Sequence, residues 1–256
     1  MSSLEYVDLA TARAARGTRI VTSAIVASPW SEAVKGIFNV MNLPALVTAR
    51  GRDATDVIAW TGIDNVPIVL HDDDPIRTSW AAIVGLAARL AGPDRVVPTE
   101  PAQRAEVMGL LELIAGENGL GWNARLAMIA TSFEHEGKRG FTLGIASYLA
   151  KRYGWTPAVT ANDLRERVAL QLRVLDRHLA AEYFGGARPS ALDVYAATFL
   201  TALTQLDDTT CPQMHAASRA AFGTAAELLA DLVPAKLWTH RSMMFERHLE
   251  LPIRLA

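Results

Sequence analysis

The sequence has little cysteine and no block of like charge. Its 256 residues include a single cysteine, Cys211, which excludes an internal disulfide framework and every Cys-x-x-Cys redox or metal motif. This cysteine usage suits a reducing compartment. The 25 basic and 27 acidic side chains give a formal net charge of −2. Because nucleic-acid binding requires a basic face that releases counterions, we expect no nucleic-acid partner.

Signals for membranes, metals and nucleotides are also missing. The first twenty residues lack an apolar core, and no apolar run is long enough to cross a bilayer. The Ala/Arg content leaves a transit peptide open, but Glu5 and Asp8 argue against one, so we expect a cytoplasmic protein with no membrane partner. The six histidines show no His-Glu-x-x-His or other paired spacing, which predicts no metal. There is no Gly-x-Gly-x-x-Gly and no Walker loop.

One stretch, residues 65–79, organises what the chain does contain. Val66 and Pro67 open a short apolar run, an acidic turn follows, and Thr78 and Ser79 precede a helical pattern. Pro67 has no N–H for a sheet ladder, so it belongs at the first residue of a strand or on an edge. An X-Pro bond is also the common route to a cis peptide, and we expect Val66-Pro67 to be cis. Thr78 and Ser79 can cap the following helix.

A second helix start lies upstream, at Ser28-Pro29-Trp30. Serine is favoured as an N-cap, and proline at the first helical position loses no useful N–H. Strands are predicted at residues 19–23 and 45–48, on either side of this helix. The alternation of strands and helices continues through a further helix and two strands to the helix after Ser79. This order of elements is thioredoxin-like.

After residue 91 the pattern becomes helical throughout. We predict an irregular N-terminal arm at residues 1–18, a thioredoxin-like α/β domain at 19–91, a linker at 92–101 and an all-α C-terminal domain at 102–256. Within the last segment, Ser190 and Asp193 have the spacing of a capping box. The helix that they open is apolar nearly all round, which is typical of a fully buried helix.

Three features in this order resemble the serine-type glutathione transferase family. They are Ser28-Pro29-Trp30, the stretch from Val66-Pro67 to Thr78-Ser79, and the capping box of Ser190 and Asp193. The resemblance covers residues from about 19 to 240. It implies a thioredoxin-like domain that binds glutathione, a helical second domain and a homodimer.

The resemblance also implies roles for particular residues. Ser28 matches the active-site position and would keep the glutathione sulfur as a thiolate, although it could also simply cap its helix. Val66, before Pro67, would pair through its backbone with the cysteinyl part of glutathione, and Ser79 would hold the γ-glutamyl carboxylate. Thr78 departs from the family, where Glu, Gln or Asp is usual, so it should recognise the γ-glutamyl amine less strongly.

The remaining candidates are arginine, aromatic and serine side chains. Arg50 and Arg52 could both reach the glycyl carboxylate, and we assign Arg52 to cofactor binding. Trp30 is assigned to the second substrate because it follows the active serine. For three further aromatic residues, two alternatives remain, a place in the lining of a pocket or a place in the core: Trp122, Tyr153 and Trp155. Ser31 is the second candidate for the catalytic serine.

These assignments favour an enzyme that uses glutathione as a co-substrate. Its thiolate, stabilised by Ser28, would attack a small electrophilic molecule. One alternative is a non-catalytic binding or assembly module, since fold does not fix function. Another is a glutathione-dependent lyase, dehalogenase or isomerase. Thr78 favours the module, whereas Ser28 followed by Pro29 favours the enzyme.

Overall fold

The computed structural model describes residues 2–256, and its first part alternates strands and helices. The strands are β1 (Leu4–Tyr6), β2 (Thr18–Ser23), β3 (Ala45–Arg50) and β4 (Ile68–His71). The helices of this part are α1 (Leu9–Ala14), α2 (Pro29–Val40), α3 (Thr55–Thr61) and α4 (Trp80–Ala91).

The four strands form one sheet in the order β1-β3-β2-β4. β1 and β2 run parallel to β3, whereas β4 runs antiparallel to β2. Neighbouring residues of β2 point to opposite faces: Ile20 belongs to the main hydrophobic cluster and Val21 to a smaller one that includes Val57 of α3. Helices therefore cover both faces of the sheet, as in a thioredoxin-like layer structure.

The N-terminal arm, predicted to be irregular, is ordered over its described residues. β1 pairs with β3 from Leu4 opposite Ala45 to Tyr6 opposite Val47, and the Asp8 carboxylate caps α1 by accepting from the Thr11 N–H at 2.7 Å. A strand of three residues and a helix of six are too short to show periodicity in a sequence. β1 is defined instead by its hydrogen bonds to a strand about forty residues away.

The predicted strand after β4 is reduced to a single bridge. Val69 and Arg77 exchange two backbone hydrogen bonds, of 2.8 and 3.0 Å, and no longer pairing forms between the two segments. Pro75 lies two residues before Arg77 and has no N–H to extend a ladder.

The rest of the chain is helical. Its helices are α5 (Pro101–Ala115), α6 (Leu120–Glu134), α7 (Leu143–Tyr153), α8 (Ala161–His178), α9 (Ala191–Thr201), α10 (Ala216–Leu229) and α11 (Ala235–Arg247), with a 3-10 turn at Ala230–Leu232. All residues of α9 are buried, as its composition predicts, and α2, α5 and α11 pack around it. Within residues 2–256, no helix has both the length and the apolar character that a membrane crossing requires.

The predicted capping box opens α9. The buried Asp193 carboxylate accepts from the Ser190 N–H at 2.9 Å, the Ser190 hydroxyl at 2.8 Å and the Phe184 N–H at 2.9 Å. His240 Nε2 lies 3.0 Å from the same carboxylate. The Asp193 carboxylate therefore links α9 to α11 through His240, and to the segment before α9 through Phe184.

Candidate functional site

A cleft of about 510 Å³ lies between the sheet and the helical part of the chain. The side of the cleft formed by the first part includes Ser28, Trp30, Arg50, Val66, Pro67, Thr78 and Ser79. The helical side is formed by α6 and α7, with Trp122, Arg125, Tyr148, Leu149, Arg152 and Tyr153. Two segments far apart in sequence, one beginning at residue 28 and the other within residues 65–79, are thus brought into one cleft.

Ser28 is the N-cap of α2, but its side chain is not used for capping. The backbone of Ser28 is extended and its carbonyl accepts from the Glu32 N–H at 2.9 Å, which begins the helix. Its hydroxyl makes no capping hydrogen bond, and Pro29 has no N–H that needs one. Ser28 therefore presents to the cleft a hydroxyl that α2 does not use for capping, at a helix N-terminus where the partial positive charge favours an anion.

Ser31, the second candidate, lies outside this arrangement. Its side chain is buried, and its hydroxyl has no hydrogen-bond partner among residues 2–256. It is not among the residues that line the cleft. One turn along α2 thus separates a serine at the cleft from a serine in the core.

The Val66-Pro67 peptide is cis, as predicted, and lies directly before β4. Both residues line the cleft. The Val66 N–H donates to Oδ1 of Asn65 at 2.9 Å. Asn65 is exposed, and its side chain occupies the backbone N–H of Val66 at the cleft.

Thr78 and Ser79 stand where α4 begins. Ser79 is the N-cap, and its hydroxyl accepts from the Ala82 N–H at 3.3 Å, which confirms the predicted cap. Both residues are exposed and line the cleft. The first N–H groups of α4 lie beside them, and a helix N-terminus of this kind is a ready site for a carboxylate.

The two candidate arginines differ in position. Arg50, at the end of β3, lines the cleft and pairs with Asp64. Arg52 is exposed and is not part of the lining. Arg50, rather than the assigned Arg52, is therefore the arginine that the fold brings to the site from this side.

Three of the predicted aromatic side chains line the cleft. Trp30 donates its indole N–H to the Ala115 carbonyl at 2.9 Å and packs edge-on against Phe199, with ring centroids 4.9 Å apart. Trp30 thus joins α2 to the helical part while lining the cleft. Trp122 and Tyr153 line it together, with ring centroids 4.6 Å apart.

Trp155 belongs to a different environment. It stacks on Phe133, with centroids 4.7 Å apart and rings within 7° of parallel, and it is not in the cleft lining. Cys211 also lies away from the cleft. It is fully buried, and burial raises the pKa of its thiol, which disfavours the thiolate form.

Sequence reasoning did not identify Arg125 and Arg152. Arg125 lies one turn after Trp122 on α6, and Arg152 lies one turn after Tyr148 on α7, so each pair shares a helix face. The aromatic-then-arginine spacing at i,i+3 and i,i+4 was the available signal.

The lining contains three arginines and no Asp or Glu. Residues 2–256 contain no group of His, Cys, Asp or Glu that could hold a metal.

No family model and no curated protein matches the chain, but solved structures do. A glutathione transferase family member from Pseudomonas fluorescens Pf-5, solved with two glutathione bound, is 16% identical, with a TM-score of 0.59 over 91% of this chain and 89% of that chain. A glutathione S-transferase from Xanthobacter autotrophicus is 16% identical, with a TM-score of 0.55 over 92% and 96%. One from Methylobacterium radiotolerans, in complex with glutathione sulfonate, is 16% identical, with a TM-score of 0.51 over 87% and 93%.

At this identity the likeness is one of fold. It confirms the predicted fold class, a thioredoxin-like α/β part followed by an all-α part.

Proposed function

We propose that this protein, which has the glutathione transferase fold, binds glutathione in the cleft and joins it through its sulfur to a small electrophile. The observation that carries the proposal is the free hydroxyl of Ser28, at the N-terminus of α2 and in the same cleft as Val66-Pro67 and Thr78-Ser79. A serine that only capped its helix would use its hydroxyl on the helix N–H groups. The proposal takes residues 19–91 as the glutathione-binding domain and 92–101 as the linker.

The chemistry follows from what a helix N-terminus and a hydroxyl do to a thiol. Both favour the charged form of the glutathione sulfur, the helix through its partial positive charge and Ser28 by donating a hydrogen bond to the thiolate. The thiolate attacks the electrophilic carbon, a C–S bond forms, and the electron pair of the broken bond leaves with the displaced group. Holding both reactants in one cleft lowers the barrier further.

The other groups of glutathione have matching partners in the cleft. The cysteinyl amide meets the backbone of Val66, once the exposed Asn65 side chain releases the Val66 N–H. The γ-glutamyl carboxylate meets Ser79 and the first N–H groups of α4. Arg50 lines the same side of the cleft, where it pairs with the exposed Asp64, and we assign it to the glycyl carboxylate.

The second candidate function, a binding module without catalysis, is favoured by Thr78. This exposed threonine offers the γ-glutamyl ammonium a neutral hydroxyl where a carboxylate would provide a charge. A module would bind glutathione and its S-blocked derivatives with no thiol-dependent turnover.

The experiment that tests the proposal measures binding and turnover separately. Calorimetric titration with glutathione and with S-methylglutathione reports binding, and conjugation to an aryl halide at pH 6.5 reports chemistry. We expect binding of both ligands and thiol-dependent turnover. Binding without turnover would favour the module, and the absence of both would overturn the proposal.

A further inference from the structure

The helical side of the cleft carries two arginines that pair with no carboxylate of residues 2–256. Arg125 is partly buried on α6, and its guanidinium lies 5.5 Å from the ring centroid of Phe141 and 5.1 Å from that of Phe222. Arg152 on α7 donates to the Tyr148 hydroxyl at 3.0 Å. Arg50, on the opposite side, is paired with Asp64.

Two positive charges next to aromatic rings make this side of the cleft attractive to an anion. The rings of Phe141 and Phe222 exclude water from around the Arg125 guanidinium, so its charge is screened less than one in bulk solvent. Arg152 is exposed and adds its charge at the mouth of the same side. A concave surface with one sign of charge also concentrates ligands of the opposite sign. Since the lining contributes no Asp or Glu, nothing in the cleft itself neutralises Arg125 and Arg152.

The same side offers flat apolar surface. Trp122 and Tyr153 form a tilted pair with centroids 4.6 Å apart, and Tyr148 is exposed beside Arg152. Trp30 reaches the cleft from α2, and its hydrogen bond to Ala115 holds it in place. Planar aryl groups pack well on such rings, in stacked or edge-on arrangements.

We propose that the second substrate is an aromatic electrophile that carries an acidic group, and that Arg125 and Arg152 bind this group. This inference rests on the proposed function, in which the carboxylates of glutathione are held on the opposite side, by Ser79, the start of α4 and Arg50. The arginines of α6 and α7 are then left for the other reactant. Its aryl ring lies against Trp122 and Tyr153.

A suitable probe reaction is aromatic substitution. The glutathione thiolate forms a C–S bond at the ring carbon that carries chlorine, the C–Cl bond breaks, and its electron pair leaves with chloride. The thiol proton passes to solvent before the attack, and no oxidant or reductant takes part. Two substrates with the same ring and leaving group are 4-chloro-3,5-dinitrobenzoate, which is anionic, and 4-chloro-3,5-dinitrobenzamide, which is neutral.

The first measurement is the ratio of kcat/KM for the benzoate to kcat/KM for the benzamide, each corrected for its uncatalysed rate. We expect the wild-type ratio to exceed one and to fall about tenfold or more in Arg125→Gln and in Arg152→Gln, as for the loss of a charge-assisted hydrogen bond. Lys151→Gln is the matched control, because it removes one positive charge from α7 at an exposed position outside the lining. Its ratio should equal that of wild type.

The second measurement does not require turnover. Quenching of tryptophan fluorescence reports the affinity for 3,5-dinitrobenzoate and for 3,5-dinitrobenzamide, which have no leaving group. Tighter binding of the benzoate, lost in Arg125→Gln and Arg152→Gln and kept in Lys151→Gln, is the expected result. Equal affinity for the two compounds, or a preference that the arginine variants retain, would overturn the anionic-substrate inference. Failure of glutathione itself to bind or react would count against the proposed function alone, since this binding assay still tests the arginines.

Discussion

The hydroxyl of Ser28 can be removed without touching the rest of the cleft. Because it donates to a thiolate in the proposed mechanism, Ser28→Ala should raise the pKa of the bound glutathione sulfur and move the pH–rate profile to higher pH. A charge-assisted bond of about 1.5–3 kcal/mol predicts a loss of about ten- to a hundredfold in kcat/KM at pH 6.5. The loss should be smaller at pH 9, where the thiol ionises without help.

Two comparisons make the Ser28 experiment specific. Ser31→Ala removes the same atom from the buried serine outside the cleft, so its pH–rate profile should keep the wild-type midpoint. Affinity for S-methylglutathione, which has no thiolate, should be similar in Ser28→Ala and wild type. Coincident pH–rate profiles for wild type and Ser28→Ala would show that Ser28 has no part in ionising the sulfur.

Asp193 allows a test of stability at the same scale. Asp193→Ala leaves the partly buried N–H groups of Ser190 and Phe184 without an acceptor. It also removes the partner of the buried His240 ring, and each buried group left unpaired costs about 1–3 kcal/mol. We expect a loss of about 3 kcal/mol or more in the free energy of unfolding. Denaturant titration of purified protein measures it.

The chain contains its own control for this substitution. Thr160 and Asp163 form a second capping box, at the exposed start of α8, so Asp163→Ala loses the same motif where water can replace the carboxylate. Its cost should be about 1 kcal/mol. Equal losses for the two variants would mean that the Asp193 network contributes no more than an ordinary cap.

The residues that sequence reasoning located correctly are those with a local backbone signal. Pro29 and Pro67 mark a helix start and a strand start, and Ser79 marks a cap, so their positions depend little on the rest of the fold. Arg125 and Arg152 depend on how α6 and α7 turn toward the cleft, which long-range packing decides. The choice between Arg50 and Arg52 likewise depended on where β3 ends.

At the scale of elements, α2 joins the two ends of the chain. Its buried Lys35 lies 2.8 Å from a Glu32 carboxylate oxygen and donates to the Arg254 carbonyl at 2.6 Å. Tyr6 of β1 donates to Glu250, and the Arg254 guanidinium lies 4.0 Å from the Tyr6 ring centroid. β1 and the C-terminal segment, neither of which has periodicity in the sequence, are therefore held by contacts with α2 and with each other.

Lys35→Met tests this junction. Burial raises the pKa of Glu32 above its usual value near 4.5, and Lys35 opposes that rise. An acid with a raised folded pKa destabilises the fold progressively as pH rises above the unfolded pKa, and losing Lys35 strengthens the effect. The variant should therefore lose more free energy of unfolding, relative to wild type, at pH 7.5 than at pH 5, by denaturant titration at both values.

The matched control for the junction is the double variant Lys35→Met with Glu32→Gln. It has no buried carboxylate at this position, so the loss of stability should be nearly the same at both pH values. Removing one partner of a buried pair is costly, whereas removing both costs less. A pH-independent loss in the single variant would mean that Glu32 stays ionised or becomes hydrated when Lys35 is absent.

At the scale of the whole molecule, one hydrophobic cluster runs from the sheet into the helical part. It includes Ile20 and Val47 of the sheet together with Leu111, Leu172 and Phe199 of the helices. The change to helical patterns after residue 91 was visible in the sequence, but the continuity of the core was not, because it depends on faces that meet only in the folded chain. The homodimer implied by the family resemblance stays a prediction, which light scattering would test against the 27.7 kDa of one chain.

A shared core and a cleft lined from both parts predict one cooperative unfolding transition that a cleft ligand shifts as a unit. A ligand at a hundred times its Kd stabilises the folded state by about 2.7 kcal/mol, which for a chain of this size raises Tm by roughly 5–10 °C. Differential scanning calorimetry with S-methylglutathione should therefore show a single peak that moves upward, in wild type and in Ser28→Ala alike. Two peaks, of which the ligand moves only one, would contradict the shared core, and a single peak that no glutathione derivative moves would remove the cleft as the glutathione site. The Tm could instead rise in full while the protein shows no thiol-dependent turnover. That result would support the fold and the site and would assign the chain to the binding-module function that Thr78 favours.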